Sequence, residues 1–236
     1  MAVFTIGDLH LSLGADKRMD VFPGWENYVE RIERHWRETV SGEDTVVLAG
    51  DLSWGMTLEA SLPDFLFLER LPGRKLLIKG NHDYWWSTGA KMQDFFQRHG
   101  LSTLSLLHNN AYACEGAVLC GSRGWLFEKG EPHDRKILLR EAMRLELSLK
   151  EGGKHEGERI VFLHYPPLYG EEVSPEIIEV LQRFGVRRCY YGHIHSAGCA
   201  RAVCGPFDGI GFQLISADFL RFRPLRVETN GTGSAG

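Results

Sequence analysis

Short buried strands alternating with amphipathic helices, in one α/β domain, are what this 236-residue chain predicts. Five runs carry the strand half of that expectation: VFTI (3–6), TVVLA (45–49), KLLIK (75–79), RIVFL (159–163) and RCYY (188–191). They are short, apolar and lack alternation, which suits strands covered on at least one full face. Helical spacing between them carries the other half, and hydrophobic residues at 43% suffice for a substantial core.

The elements follow in order. After the first strand, WENYVERIERHWRETV (25–40) puts Tyr28, Ile32, Trp36 and Val40 at i+4 steps, one face of a helix. Residues 133–150 repeat the pattern with Ile137, Leu138, Met143, Leu145 and Leu149. SPEIIEVLQRFG (174–185) opens on a Ser cap with Pro behind it and stops at Gly. The stretch 104–122 alternates around Glu115-Gly116 and reads as an antiparallel hairpin, and 199–228 is β-like in GFQLISADF and LRFRPLRVE. The sheet is therefore mixed, single or split in two, with helices outside. The expected domain runs over 1–230, and 231–236 form a frayed tail; KEGGKHEGER (150–159) reads as a solvated loop.

The net charge of −4 gives no general attraction to nucleic acid or to anionic membrane. No segment approaches the ~20 apolar residues of a membrane span. The opening MAVFTIGDLH lacks the basic start and apolar stretch of an export signal, so the expected location is cytoplasmic. The five cysteines (114, 120, 189, 199, 204) are then reduced thiols; Cys199 and Cys204 are either a metal or redox pair or small buried hydrophobes.

Chemistry concentrates where the strands end. The first run exits into Gly7-Asp8-Leu9-His10, the second into Gly50-Asp51, the third into Gly80-Asn81-His82-Asp83. The fourth gives His164 before Tyr165-Pro166-Pro167, and the fifth gives Gly192-His193-Ile194-His195. Ligands bind at the carboxyl edge of open α/β sheets, and five of the ten histidines fall at these exits. Asp, Asn and His are metal ligands, and the pairs Asp8/His10 and His193/His195 are spaced to point the same way from extended backbone. Seven ligands are too many for one ion. Two ions about 3.5–4 Å apart with a shared carboxylate use them naturally, and Asp51, a lone carboxylate at a central exit, is the candidate bridge. Two divalent ions facing two aspartates leave positive charge, and such a site takes a phosphate.

In this order, GDLHL, GDLSWG, GNHDYW, HYPP and GHIHS closely resemble the signature blocks of the calcineurin-like metallophosphoesterase superfamily, over residues 7–196. The resemblance implies a four-layer α/β/β/α sandwich of two mixed sheets flanked by helices. It also implies that Asp8, His10, Asp51 and His195 hold one metal and Asp51, Asn81, His164 and His193 the other. His82 matches the histidine that contacts the substrate phosphate, and Asp83 the carboxylate that orients it. The implied activity is hydrolysis of a phosphomonoester or phosphodiester by in-line attack of water activated between the metals, with His82 serving the leaving oxygen. Mn, Fe, Zn and Co all suit the donor set, and the family favours Mn or Fe. A nuclease or nucleotide pyrophosphatase of the same superfamily is the alternative, and a non-catalytic scaffold is disfavoured because every ligand and His82 are present. The expected partner is a small phosphorylated substrate, with no membrane and no nucleic acid. Arg123, in GSRGW, is either a second phosphate contact or a salt-bridged structural arginine. Tyr84, Trp85, Trp86 and Trp54 either pack a first helical turn or stack on a base.

Overall fold

The computed structural model describes residues 1–114, 116–126 and 132–229, with residues 132–134 described by backbone alone. Two mixed sheets lie face to face. The first takes β1 (Val3–Ile6), β2 (Thr45–Leu48), β3 (Arg74–Leu77), β4 (Leu104–Leu106) and β13 (Leu225–Val227), in the order β13-β1-β2-β3-β4. The second takes β5 (Ala111–Cys114), β6 (Ala117–Ser122), β7 (Glu158–Leu163), β10 (Arg188–Tyr191), β11 (Gly205–Phe207) and β12 (Ile210–Leu214), in the order β11-β12-β10-β7-β6-β5. A small ribbon pairs β8 (Leu168–Tyr169) with β9 (Glu172–Val173). Interior strands are parallel, and the antiparallel ones (β13, β11, β5) stand at the edges.

Helices α1 (Tyr28–Thr39), α2 (Leu62–Arg70) and α3 (Gly89–Arg98) cover the first sheet, through a core that includes Ile32, Trp36, Phe65 and Phe95. Helices α4 (Pro132–Gly152) and α5 (Pro175–Arg183) cover the second, through Leu145, Leu149, Ile177 and Leu181. Between the sheets Val47, Leu76, Ile78, Leu119, Ile160, Phe162 and Ile215 form the middle layer of the core. Helix, sheet, sheet and helix make the four expected layers. β1, β2, β3, β7 and β10 carry residues apolar on both faces because each face meets a core, which is why those runs show no alternation.

Three details differ from expectation. Leu104–Leu106 pairs parallel with β3 in the first sheet, so only β5 and β6 form the hairpin. Helix α2 was not expected, because its inward face carries a buried carboxylate, Asp64, beside Phe65 and Leu68, which breaks the apolar period. Helix α3 starts only at Gly89, capped by Thr88 Oγ1 accepting from Lys91 N, so Tyr84, Trp85 and Trp86 precede it. Residues 231–236 and Glu115 of the hairpin turn lie outside the described residues. All five cysteines are free; Cys120 and Cys189 are buried hydrophobes, and Cys199 and Cys204 are not joined. No described helix is long and apolar enough to cross a membrane.

What positions the site is the level ending of the parallel strands. Ile6, Leu48 and Leu77 are in register in the first sheet, and Leu163, Tyr191 and Leu214 in the second. The two sheets are stitched together at that edge, where Gly7 N donates to Ile215 O (2.8 Å) and Ala217 N to Gly7 O (3.0 Å).

Candidate metal centre

The exits turn sharply. Asp8 (φ 58°), His10 (φ 47°), Asp51 (φ 51°) and His193 (φ 73°) all adopt left-handed backbone, which costs a non-glycine residue about 1–3 kcal/mol. Ladder-like bonds hold those turns: Asp8 N to Gly50 O (2.8 Å), and His10 N to Asp51 O (2.9 Å). Two glycines allow the close approach. A Cβ at Gly80 would run into the Asp51 carboxylate, and one at Gly192 into that of Asp8.

All seven expected ligands converge at the seam. His10 Nε2 lies 3.3 Å from His195 Nε2 and 3.9 Å from Asp51 Oδ2; Asp8 Oδ1 lies 3.5 Å from His195 Nε2. On the other side Asn81 Oδ1 lies 2.6 Å from His164 Nε2 and 3.0 Å from His193 Nδ1, and Asp51 Oδ1 lies 3.6 Å from His164 Nε2. Asp8, Asp51 and His164 are buried and so is His10.

Among the described residues, two sets could by proximity hold an ion: Asp8, His10, His195 and Asp8, Asp51, His164. Proximity alone would make Asp8 the shared carboxylate. Tautomers argue otherwise. His164 Nδ1 donates to Ala49 O (3.0 Å), and it is this nitrogen that faces Asp8 (3.7 Å). The lone pair is left on Nε2, which faces Asp51 and Asn81. Asp51 therefore reaches both halves with one oxygen each, whereas Asp8 meets the usable nitrogens of the first half only.

The donor set fits cations. His10 and His195 aim nitrogen at nitrogen, and Asn81 aims its oxygen between two imidazoles, contacts that a metal ion would make favourable. Burial pulls His10 down to about 3, with the His195 charge adding to it. Burial and His164 do the same to His193, also about 3. Burial and the Asp8 charge push Asp51 up to about 8. Burial alone would raise Asp8 too, but contact with His195 carries it below the usual carboxylate range. Buried imidazoles held neutral keep a lone pair that a cation can use.

His82 stands at the mouth, half-buried, its Nε2 4.0 Å from Asp51 Oδ2 and its Nδ1 3.4 Å from Tyr84 Oη. Asp83 does not orient it. Both Asp83 oxygens accept from the exits instead: Gly80 N (2.7 Å), Asp51 N (2.9 Å), Leu52 N (2.8 Å) and Trp85 Nε1 (3.0 Å). The expectation is corrected accordingly, because Asp83 is fully buried beneath the Asp51 exit while His82 stays half-exposed at the mouth. Its task is to tie the third exit to the second. Trp85 is buried on it, and Tyr84 is exposed. Trp54 stacks on His10 (5.0 Å, 19°) and packs against His82 (4.5 Å), with Lys17 Nζ 3.2 Å above its ring. Arg123 lies behind the second half. Its carbonyl accepts from His164 N and Tyr165 N, and its guanidinium is 3.8 Å from the fully buried Glu141.

One participant was not foreseen. Asp218 Oδ1 lies 2.9 Å from His195 Nδ1, and its Oδ2 accepts from Ser196 N (2.8 Å). It fixes His195 with Nε2 toward the centre. Although burial alone would pull His195 down, Asp218 and Asp8 raise it to about 10. Asp218 follows β12 as His164 follows β7, so ISAD is a sixth exit that could have been read as such.

The model of one protein family, calcineurin-like phosphoesterase, matches residues 1–197. The chain belongs to that family. Its members are metal-dependent phosphoester hydrolases, so this chain is a family hydrolase in coarse class. Its fold is similar to that of protein AQ665 of unknown function from Aquifex aeolicus (15% identity, 95% of each chain covered, TM-score 0.54). It is similar as well to phosphopantetheinyl hydrolase from Mycobacterium tuberculosis (14% identity, 100% of this chain and 98% of that one, TM-score 0.56). No curated protein matches the sequence.

Proposed function

We propose that the chain hydrolyses a small phosphomonoester or phosphodiester with two metal ions, Mn or Fe before Zn or Co. Asp8, His10, Asp51 and His195 would hold one ion, and Asp51, Asn81, His164 and His193 the other. The single observation that carries this reading is the convergence of seven donors from both sheets, with usable lone pairs directed at two points on either side of Asp51.

When bound, the ions supply Lewis acidity, neutralising phosphate charge and making water acidic enough to serve as nucleophile near neutral pH. The chain's own residues do the rest. Asp218 and the Ala49 carbonyl fix His195 and His164 with Nε2 inward. Asp83 keeps the Asp51 turn from relaxing. His82 is the proton donor to the leaving oxygen. Burial and the nearby Lys17 charge lower its pKa, which makes its protonated form a stronger acid once a phosphate anion draws the proton on. Arg123 is the candidate second contact to the phosphate, supported by its seat against the His164 backbone.

Turnover of p-nitrophenyl phosphate, bis(p-nitrophenyl) phosphate, cyclic nucleotides and dinucleoside polyphosphates tests the reading. Chelation should abolish activity, and Mn should restore it better than Mg, because imidazole-rich sites disfavour Mg. Full activity in the chelated protein overturns the proposal.

A further inference from the structure

A cavity of about 630 Å³ opens beside the first half of the centre, lined by Arg31, Ser196, Cys199, Asp218, Phe219, Arg221 and Phe222 with Pro23 and Gly24 at its rim. That is the size of a small-molecule site. It adjoins the centre directly: Asp218 and Ser196 are the residues that hold and follow His195, and Trp25 bridges the His195 ring (5.9 Å) and the Phe222 ring (5.0 Å).

The walls have a definite chemistry. The Arg31 guanidinium sits over the Phe222 ring, 4.3 Å from its centroid, and one of its nitrogens donates to Gly24 O at 2.7 Å. No carboxylate among the described residues lies within ion-pair distance of Arg31 or Arg221. The one carboxylate on the wall, Asp218, has both oxygens committed to His195 and Ser196. So two guanidiniums face the cavity without a countercharge, and Phe219 is its exposed aromatic wall while Phe222 lies buried beneath Arg31. Three non-glycine lining residues, Ser196 (φ 51°), Arg221 (φ 53°) and Phe222 (φ 62°), hold left-handed backbone, a cost concentrated where the wall is shaped.

We infer that this cavity seats the organic part of the substrate, and that the substrate carries a second phosphate which Arg31 and Arg221 recognise. This rests on the phosphoesterase reading above and specifies the substrate class for it. Guanidinium forks match phosphate oxygens, and Arg31 is already preorganised by its ring and carbonyl contacts. The exposed Phe219 ring accepts the flat or aliphatic body between the two phosphates.

The test compares adenosine 5′-monophosphate, 5′-diphosphate and 3′,5′-bisphosphate as ligands of the full-length, Mn-loaded protein. The readout is thermal shift, with the nucleotides in each sample analysed afterwards so that the shift is assigned to uncleaved ligand. Kd for the bisphosphate or the diphosphate should be about tenfold below that for the monophosphate, and whichever is tighter shows the spacing of the two phosphates. In Arg31→Gln and in Arg221→Gln that preference should fall to within about twofold. Arg221 is exposed, so its variant keeps the test available if loss of Arg31 disturbs α1. Equal binding of the three nucleotides to the wild type, or a preference that survives both substitutions, overturns the inference. Hydrolysis of p-nitrophenyl phosphate, measured on the same samples, separates that failure from a failure of the phosphoesterase reading.

Discussion

The two sheets contribute to the centre in different ways. Exits of the first sheet (Asp8, His10, Asp51, Asn81) supply every oxygen donor, and backbone bonds hold them, with Asp83 joining the second and third exits. Exits of the second sheet (His164, His193, His195) supply imidazoles alone, oriented one at a time by single acceptors, Ala49 O for His164 and Asp218 for His195. The first sheet resembles a preformed anionic cup; the second delivers adjustable nitrogen arms over it. Each of the two donor clusters close enough to hold an ion draws on both sheets, so the stitch at Gly7 and Ser216 shapes them as much as the side chains do.

Predictions that break this comparison begin with the cup. Asp51→Ala should abolish turnover, a loss of at least about 10³-fold, because it takes one oxygen from each half. Retention of substantial kcat/KM in a Mn-saturated assay would show that Asp51 is not shared.

His82→Ala comes next. Metal content should stay near normal, while turnover falls by about 10²–10⁴-fold for alkyl esters and far less for p-nitrophenyl esters, whose leaving group needs no proton. A series of esters of rising leaving-group pKa reads this slope, and a constant penalty would mean that His82 only positions phosphate. Asp83→Asn should behave unlike His82→Ala. It sets an amide N–H against backbone donors in the Asp51 turn, so stability should drop by about 1–3 kcal/mol and Mn affinity with it, without a leaving-group slope. A denaturant melt beside the ester series distinguishes the two.

On the arms, Asp218→Asn should weaken Mn binding by about 10–100-fold, the usual effect of losing an outer partner of a ligating histidine. Unchanged affinity by calorimetry would show that His195 needs no such support.

An effect on stability alone concerns Asp64, which accepts from Leu13 N and Ser53 Oγ beneath the cup. Burial raises its carboxyl to about 6, so the fold prefers it protonated. That contribution is complete below the unfolded carboxylate value near 4, and it is lost as pH rises through 6. In chelated protein, Asp64→Asn should therefore compare best with wild type at pH 7–8 and worst at pH 4, a swing of about 2–3 kcal/mol read from Tm against pH. A pH-independent difference would contradict the assignment.

Much of this was legible in the sequence, and for a physical reason. A strand buried on both faces shows as an uninterrupted apolar run, so GDLHL or GHIHS stands out as the place where polarity resumes. The five strand runs and the seven converging side chains follow from that contrast, whereas the four layers came from the family resemblance and not from the runs themselves. Asp218 was hidden because β12 alternates, Ile-Gly-Phe-Gln-Leu, instead of forming a continuous apolar run, and its exit ISAD carries no histidine. The true partners of Asp83 were hidden too: adjacency to His82 suggested a pair, yet Asp83 is buried against backbone N–H groups of the second exit while His82 is half-exposed. Helix α2 escaped because one buried carboxylate, Asp64, spoils its apolar face.

The central claim is that two ions sit on either side of Asp51, one completed by each set of arms. Counting Mn bound to wild type, His195→Ala and His164→Ala by equilibrium dialysis with elemental analysis tests it directly. Two equivalents for the wild type and one tight equivalent for each variant are predicted. A single equivalent in the wild type, or two tight equivalents surviving in either variant, would contradict it.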